Sequence, residues 1–113
     1  MDKKNERRIE KRLCYSLPVL FAEYPKEPLT KGQMVDISSR GASFICYNHE
    51  NCPGFGQYIT ARFKVPIYQP DHSCDIENFT RNAHVCRVDR VYNYWHRVAI
   101  QFTEPLLFKP GEK

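Results

Sequence analysis

Two short stretches carry side chains that can do chemistry together. Arg8 and Arg12 stand four apart in "RIEKR", with Arg7 immediately before them. An arginine presents a planar fork of donors that fits a phosphate or the O6/N7 edge of guanine, and it can also lie flat on a purine ring. The stretch "DISSRG" supplies the complementary groups. Asp36 accepts N–H donors, Ser38 and Ser39 offer hydroxyls, Arg40 adds a guanidinium, and Gly41 can take a positive φ and let backbone come close to a ligand. Each stretch alone is weak, because basic tails are usually solvated and Asp, Ser and Gly are ordinary turn residues. Together they suit a guanine nucleotide. Arginines match the acceptor edge of the base, an aspartate matches the N1–H/N2–H₂ edge, and backbone N–H groups of the joint match phosphate.

The elements around these stretches must bring them together. Residues 1–13 form a polar arm, in which Ile9 and Leu13 give a helix little to bury. Strand signals follow over Leu17–Tyr24, Gln33–Ser38 and Ala42–Tyr47, so the Asp-Ser-Gly joint lies between two strands. The segment "NHENCPGFG" reads as a loop. Tyr58–Val65 alternates, with Ile59, Ala61, Phe63 and Val65 facing one way and Tyr58, Thr60, Arg62 and Lys64 the other, as in a sheet with one wet face. Residues 66–79 read as a long polar loop. Asn82–Tyr92 is a long strand carrying Val85, Val88 and Val91, with a bend, and "YNYW" turns it into Arg97–Thr103, where Val98, Ile100 and Phe102 face inward. The tail after Thr103 has room for one capping turn. About six short strands without a long helix predict a small antiparallel barrel, which removes sheet edges by closing. Arg12 and Asp36 are 24 residues apart, enough for one strand out and part of one back, which returns the joint to the end where the arm enters.

Composition narrows the class. A chain of 113 residues is one domain, and 42% hydrophobic residues can bury a core. We divide it into an arm (1–13), a barrel (14–105) and a tail (106–113). No apolar run reaches the roughly 18 residues that span a bilayer, and the charged start lacks a secretion signal. The five cysteines, Cys14, Cys46, Cys52, Cys74 and Cys86, are odd in number and irregular in spacing, which points to reduced thiols and a cytoplasmic protein. Residues 1–12 hold six bases against three acids, most of the net charge of +4, so an anionic partner is expected for the arm rather than for the whole surface. Cys46, His49 and Cys52, with His72, Cys74, His84 or Cys86, raise a zinc reading, but no CxxC pair exists and no metal is expected. No nucleophile–base–orienter set is recognisable, so no catalytic residue is assigned and a non-enzyme is expected. Tyr92, Tyr94 and Trp95 read as a turn cluster, and single-stranded nucleic-acid binding ranks low because no sheet face is basic.

The two motifs, in this order and at this spacing, resemble the signatures RxxxR and [D/N]xSxxG of the PilZ domain family. The likeness extends through "LPVLFAEY", "GASFICY", "GQYITARFKVP" and "NAHVCRVDRVYNYWHRVAIQFTEP". The resemblance implies a six-stranded barrel that acts as a bacterial receptor for the second messenger cyclic di-GMP. It assigns guanine and phosphate contacts to Arg8 and Arg12, a guanine N1/N2 contact to Asp36, a phosphate or base contact to Ser38, and close approach to Gly41. Ser39 and Arg40 are further candidates. An arginine before RxxxR, here Arg7, is similar to the type that supports an intercalated ligand dimer. No cofactor beyond the ligand is implied. A downstream protein partner would read the surface that changes when the arm closes. The alternative within the same fold is an adaptor that binds a protein without ligand. The tail leaves little room for the C-terminal helix that many members carry, and the 66–79 loop looks long for the family.

Overall fold

The computed structural model describes residues 10–47, 52–92 and 94–112. Arg7, Arg8 and His49 lie outside them. Among the described residues every regular element is a strand: β1 (Leu13–Cys14), β2 (Pro18–Glu23), β3 (Thr30–Ile37), β4 (Gly41–Tyr47), β5 (Tyr58–Tyr68), β6 (Cys74–Tyr92) and β7 (Trp95–Phe102). All pairings are antiparallel. The sheet runs β1-β3-β2-β5-β6-β7-β4, and an additional β3–β4 pairing closes β2 to β7 into a ring of six strands. Closure gives the backbone groups along β3 and β4 partners on both sides, which an open sheet would leave as a bare edge.

Alternation explains what the ring encloses. Ile59, Ala61, Phe63 and Val65 of β5 are buried, as are Val98, Ile100 and Phe102 of β7. Phe63 joins the two strands through a ring stacked on Phe102 at 5.5 Å, and Phe21 of β2 meets Phe44 of β4 at 4.9 Å. Each such side chain contributes roughly 1.5–3 kcal/mol by leaving water.

Several sequence expectations are corrected. Residues 66–79 are no long loop. β5 continues to Tyr68 and β6 begins at Cys74, so the two pair as a ribbon from Tyr58↔His84 to Tyr68↔Cys74. The polar composition that suggested a loop belongs instead largely to the start of β6, whose residues 74–78 are all exposed, while Pro66 of β5 is buried. Val91 is also exposed, because a register shift between Arg90 and Tyr92 breaks the alternation there. Leu13 and Cys14 pair with Ile37 and Asp36, and Leu106 is packed in the core at 4% exposure. Phe108 follows it onto Phe79 at 5.6 Å.

The cysteines are not all reduced. Cys46 of β4 and Cys52 form a disulfide, while Cys14, Cys74 and Cys86 are free thiols. The cysteine argument for a reducing compartment therefore falls, and two of the sulfurs offered for zinc bind each other. Among the described residues no group of three or more His, Cys, Asp or Glu side chains could hold a metal ion, and no helix is long and apolar enough to cross a membrane.

Candidate functional site

Two β-bulges aim the polar side chains of the site. From Met34, which is buried, plain alternation would turn Asp36 into the core. A register shift between Met34 and Asp36 inserts Val35 as an extra residue, so Ile37 becomes the next core residue and Asp36 swings to the outer face. The same device acts in β6. Val85 is in the core, a shift between Val85 and Arg87 leaves Cys86 extra, and Arg87 comes out opposite Ala99. Register then lines up Asp36, Ser43, Ala99 and Arg87 across β3, β4, β7 and β6. A second outward row, two residues along, holds Ile45, Arg97 and Asp89.

The first row, with Arg97 and Asp89 of the second, floors a groove of about 620 Å³ that is also lined by Arg12, Ser38, Arg40, Gly41 and Cys86 and takes in only the Gly41–Ser43 end of β4. It starts at the joint between β3 and β4 and spreads over the outer face of the ring, so its floor is sheet rather than loop.

Asp36 is the hub. Arg12 donates to its Oδ1 from Nε at 3.2 Å and Nη2 at 2.9 Å, Ser43 donates its hydroxyl to Oδ1 at 2.9 Å, and Arg97 Nη2 donates to Oδ2 at 3.1 Å. A carboxylate offers about four lone-pair positions, so these four donors leave almost no free acceptor capacity. Arg97 also donates to the Ser43 hydroxyl from Nε at 3.4 Å and Nη2 at 3.3 Å, which fixes the two side chains relative to each other. Asp36 is buried at 9% exposure, and an unpaired carboxylate there would be costly; two guanidinium groups remove that cost.

The joint itself is a tight turn. Ser38 N–H donates to the Gly41 carbonyl at 2.8 Å, and the Ser38 hydroxyl accepts from Arg40 N–H at 3.3 Å and from Arg12 Nη1 at 3.2 Å. Two carbonyls of the joint accept bonds from the end of β7 and the tail that follows it: Phe102 N–H reaches Arg40 and Leu106 N–H reaches Ser39, each at 2.8 Å. The last residue of β7 and the tail together hold the joint still. Gly41 is needed for a reason other than the one expected. Its φ is not positive. A Cβ there would land on the Ile100 carbonyl oxygen of β7, so the glycine lets β4 and β7 approach.

The described part of the arm is already docked. Glu10 takes the Ser39 N–H and hydroxyl, both at 2.7 Å, Arg12 sits on Asp36 and Ser38, and Lys11 N–H donates to Glu112 of the tail at 3.3 Å. Residues 10–12 are thus bonded to the joint and the tail even without ligand.

Of the residues expected in the site, the structure brings Arg12, Asp36, Ser38, Ser39, Arg40 and Gly41 together, while Arg7 and Arg8 lie outside the described residues. Sequence reasoning missed Glu10, Ser43, Arg87, Asp89 and Arg97. Alternation marked Arg97 as outward-facing, but its place beside Asp36 depends on β4 pairing with β7, a long-range match with no local signal. Tyr92 pairs with Trp95 at the expected turn, and the Trp95 ring lies against Tyr47 of β4, with centroids 4.0 Å apart and planes tilted by 32°.

No curated protein and no solved structure gives a significant match to the chain. The family model described as PilZ domain matches residues 5–107, a span that takes in both motifs, the six-strand ring and the segment that pins the joint. The chain belongs to the PilZ domain family.

Proposed function

We propose that this chain is a receptor for cyclic di-GMP, held between the basic arm and the Asp36–Gly41 joint. PilZ domains are ligand-binding and adaptor modules, and the family is one of cyclic di-GMP receptors in general. The observation that carries the reading is the meeting of the two motifs: Arg12 lies on Asp36 and Ser38 although 24 and 26 residues separate them.

Binding is an exchange of partners. Asp36 has to give up donors before it can accept from guanine N1–H and N2–H₂. Arg12 is the partner free to leave, since its bonds can be remade to a phosphate or to the base edge. Ser43 and Arg97 stay and hold the carboxylate in place. Arg8 adds a second guanidinium from the same arm, and Arg7 a third, which suits an intercalated pair of ligand molecules with their additional phosphates. Ser38 and the N–H groups of the joint take phosphate oxygens, and Arg40 and Arg87 flank the groove with further positive charge. The arm then rests on the ligand instead of on the sheet, and the altered surface is what a protein partner reads. No bond of the ligand is made or broken in this scheme.

Titration calorimetry with cyclic di-GMP tests it. Binding is expected with two nucleotides per chain, and Asp36→Ala should weaken it by on the order of 1–3 kcal/mol through the lost bidentate contact. No heat at micromolar protein, or full binding by the Asp36 variant, would contradict the reading.

A further inference from the structure

We propose that Glu10 is a built-in competitor of the ligand, an internal anion that occupies the phosphate position of the joint until the nucleotide displaces it. This rests on the receptor reading above and concerns the regulation of the same groove. Glu10 lies inside the arginine motif, between Arg8 and Arg12, where a residue aiding anion capture would not be expected to be acidic. Its two carboxylate oxygens take two donors of one residue. Oε2 accepts from the Ser39 N–H and Oε1 from the Ser39 hydroxyl, both at 2.7 Å. That is the bidentate pattern by which two oxygens of a phosphate bind a backbone N–H and a neighbouring hydroxyl, at the short distance of charge-assisted bonds.

The joint makes the position hard to avoid. The Ser39 and Arg40 carbonyls are bonded to Leu106 and Phe102, so the joint cannot turn its Ser39 donors elsewhere without breaking those bonds. An incoming phosphate oxygen has to remove the Glu10 carboxylate, or stay beside a like charge. Two residues further along the same backbone, Arg12 occupies Asp36. One short segment therefore satisfies both halves of the joint at once, with an anion on the donor half and a cation on the acceptor half. A ligand that takes Ser39 frees the segment carrying Arg12, and one that takes Asp36 frees the segment carrying Glu10. Release is coupled through the backbone, and the free protein keeps its arm docked until a molecule bearing both phosphate and a guanine-type donor edge competes on both counts.

The opposite role would be that Glu10 positions the arm for binding, and the two roles differ in sign. Calorimetric titration of cyclic di-GMP into the wild-type chain, Glu10→Ala and Glu10→Gln, together with amide exchange at Ser39 in the ligand-free proteins, separates them. Competition predicts that Glu10→Ala binds about three- to ten-fold more tightly, the scale of one part-exposed charge-assisted hydrogen bond. Glu10→Gln should fall between, because its amide oxygen can still accept from Ser39 but carries no charge. The Ser39 amide should exchange faster in Glu10→Ala. Equal or weaker binding by Glu10→Ala, with the wild type binding normally, would overturn the competition while leaving the receptor reading intact. An unchanged Ser39 exchange rate would overturn it as well, by removing the contact it depends on. If none of the three proteins binds the nucleotide, the receptor reading has failed and the competition falls with it.

Discussion

Asp36 shows how a single carboxylate can be both structural and exchangeable. It is nearly buried, so it must have cationic partners, yet one of the two arginines on it, Arg12, stands just before the first strand pairing, Leu13↔Ile37. Arg12→Ala is expected to weaken cyclic di-GMP binding by on the order of 1–3 kcal/mol, since in the proposed exchange Arg12 moves from Asp36 onto the ligand. Arg97→Ala should cost less, about 1 kcal/mol or below, because Arg97 acts through Asp36 and its side chain is 44% exposed; calorimetry on both variants gives the order. Tyr15 offers a test unrelated to ligand. Its hydroxyl is buried without a hydrogen-bond partner among the described residues, and burial pushes its pKa well above the ordinary value of 10.0. The folded state therefore keeps the phenol proton to higher pH than the unfolded chain does. Its contribution is whole below pH 10 and is lost as the pH rises beyond that. Tyr15→Phe should be neutral or stabilising by up to about 1 kcal/mol at pH 7 and should flatten the loss of stability in alkali, as read from urea midpoints across pH.

Among the elements, the strands whose alternation is regular were legible in the sequence. β5 through Val65 and β7 were readable because Ile59 to Val65 and Val98 to Phe102 keep period two without a break. The outer part of the β5–β6 ribbon was not, since the start of β6 is wet on both faces, has no alternating apolar signal and looks like polar loop. The bulges were not legible either, and they decide the site. Without the extra residue at Val35, the position of Asp36 would read as a core position. The motif residues were visible by type, but Arg97 and Ser43 required the pairing of β4 with β3 and β7, which no local pattern encodes. Two element-scale outcomes follow. Gly41→Ala pushes β4 off β7 at Ile100 and should destabilise the fold by about 1–3 kcal/mol while also weakening ligand binding, a combination that thermal melts and titration separate. Reduction of the Cys46–Cys52 bond, which closes a short loop, should lower stability by about 2 kcal/mol, seen as a lower melting temperature in dithiothreitol. Binding should change little, because the groove is at the opposite end of β4.

At the scale of the whole molecule, the closed ring supplies a stiff outer face, and the chain ends supply the parts that touch its rim. Phe102 at the end of β7 and Leu106 of the tail pin the joint through Arg40 and Ser39, and the described residues of the arm, 10–12, bond to joint and tail, with Gly111 packed so closely on Lys11 that a Cβ there would meet its carbonyl. Displacing the arm therefore alters a surface built from both ends of the chain, which is a sensible place for a partner to sense the ligand. Most of the net positive charge lies in residues 1–12, so binding of the doubly anionic nucleotide should weaken as salt rises. If Arg7 supports a ligand dimer, Arg7→Leu should lower the titrated ratio from two nucleotides per chain to one. The most direct test of the exchange is a crystal structure of the chain grown with cyclic di-GMP. It should show the Arg12 guanidinium withdrawn from Asp36 and placed on the nucleotide, with Asp36 accepting from a guanine edge and Arg97 still on its other oxygen. A nucleotide bound elsewhere, with Arg12 still resting on Asp36 as in the free chain, would contradict it.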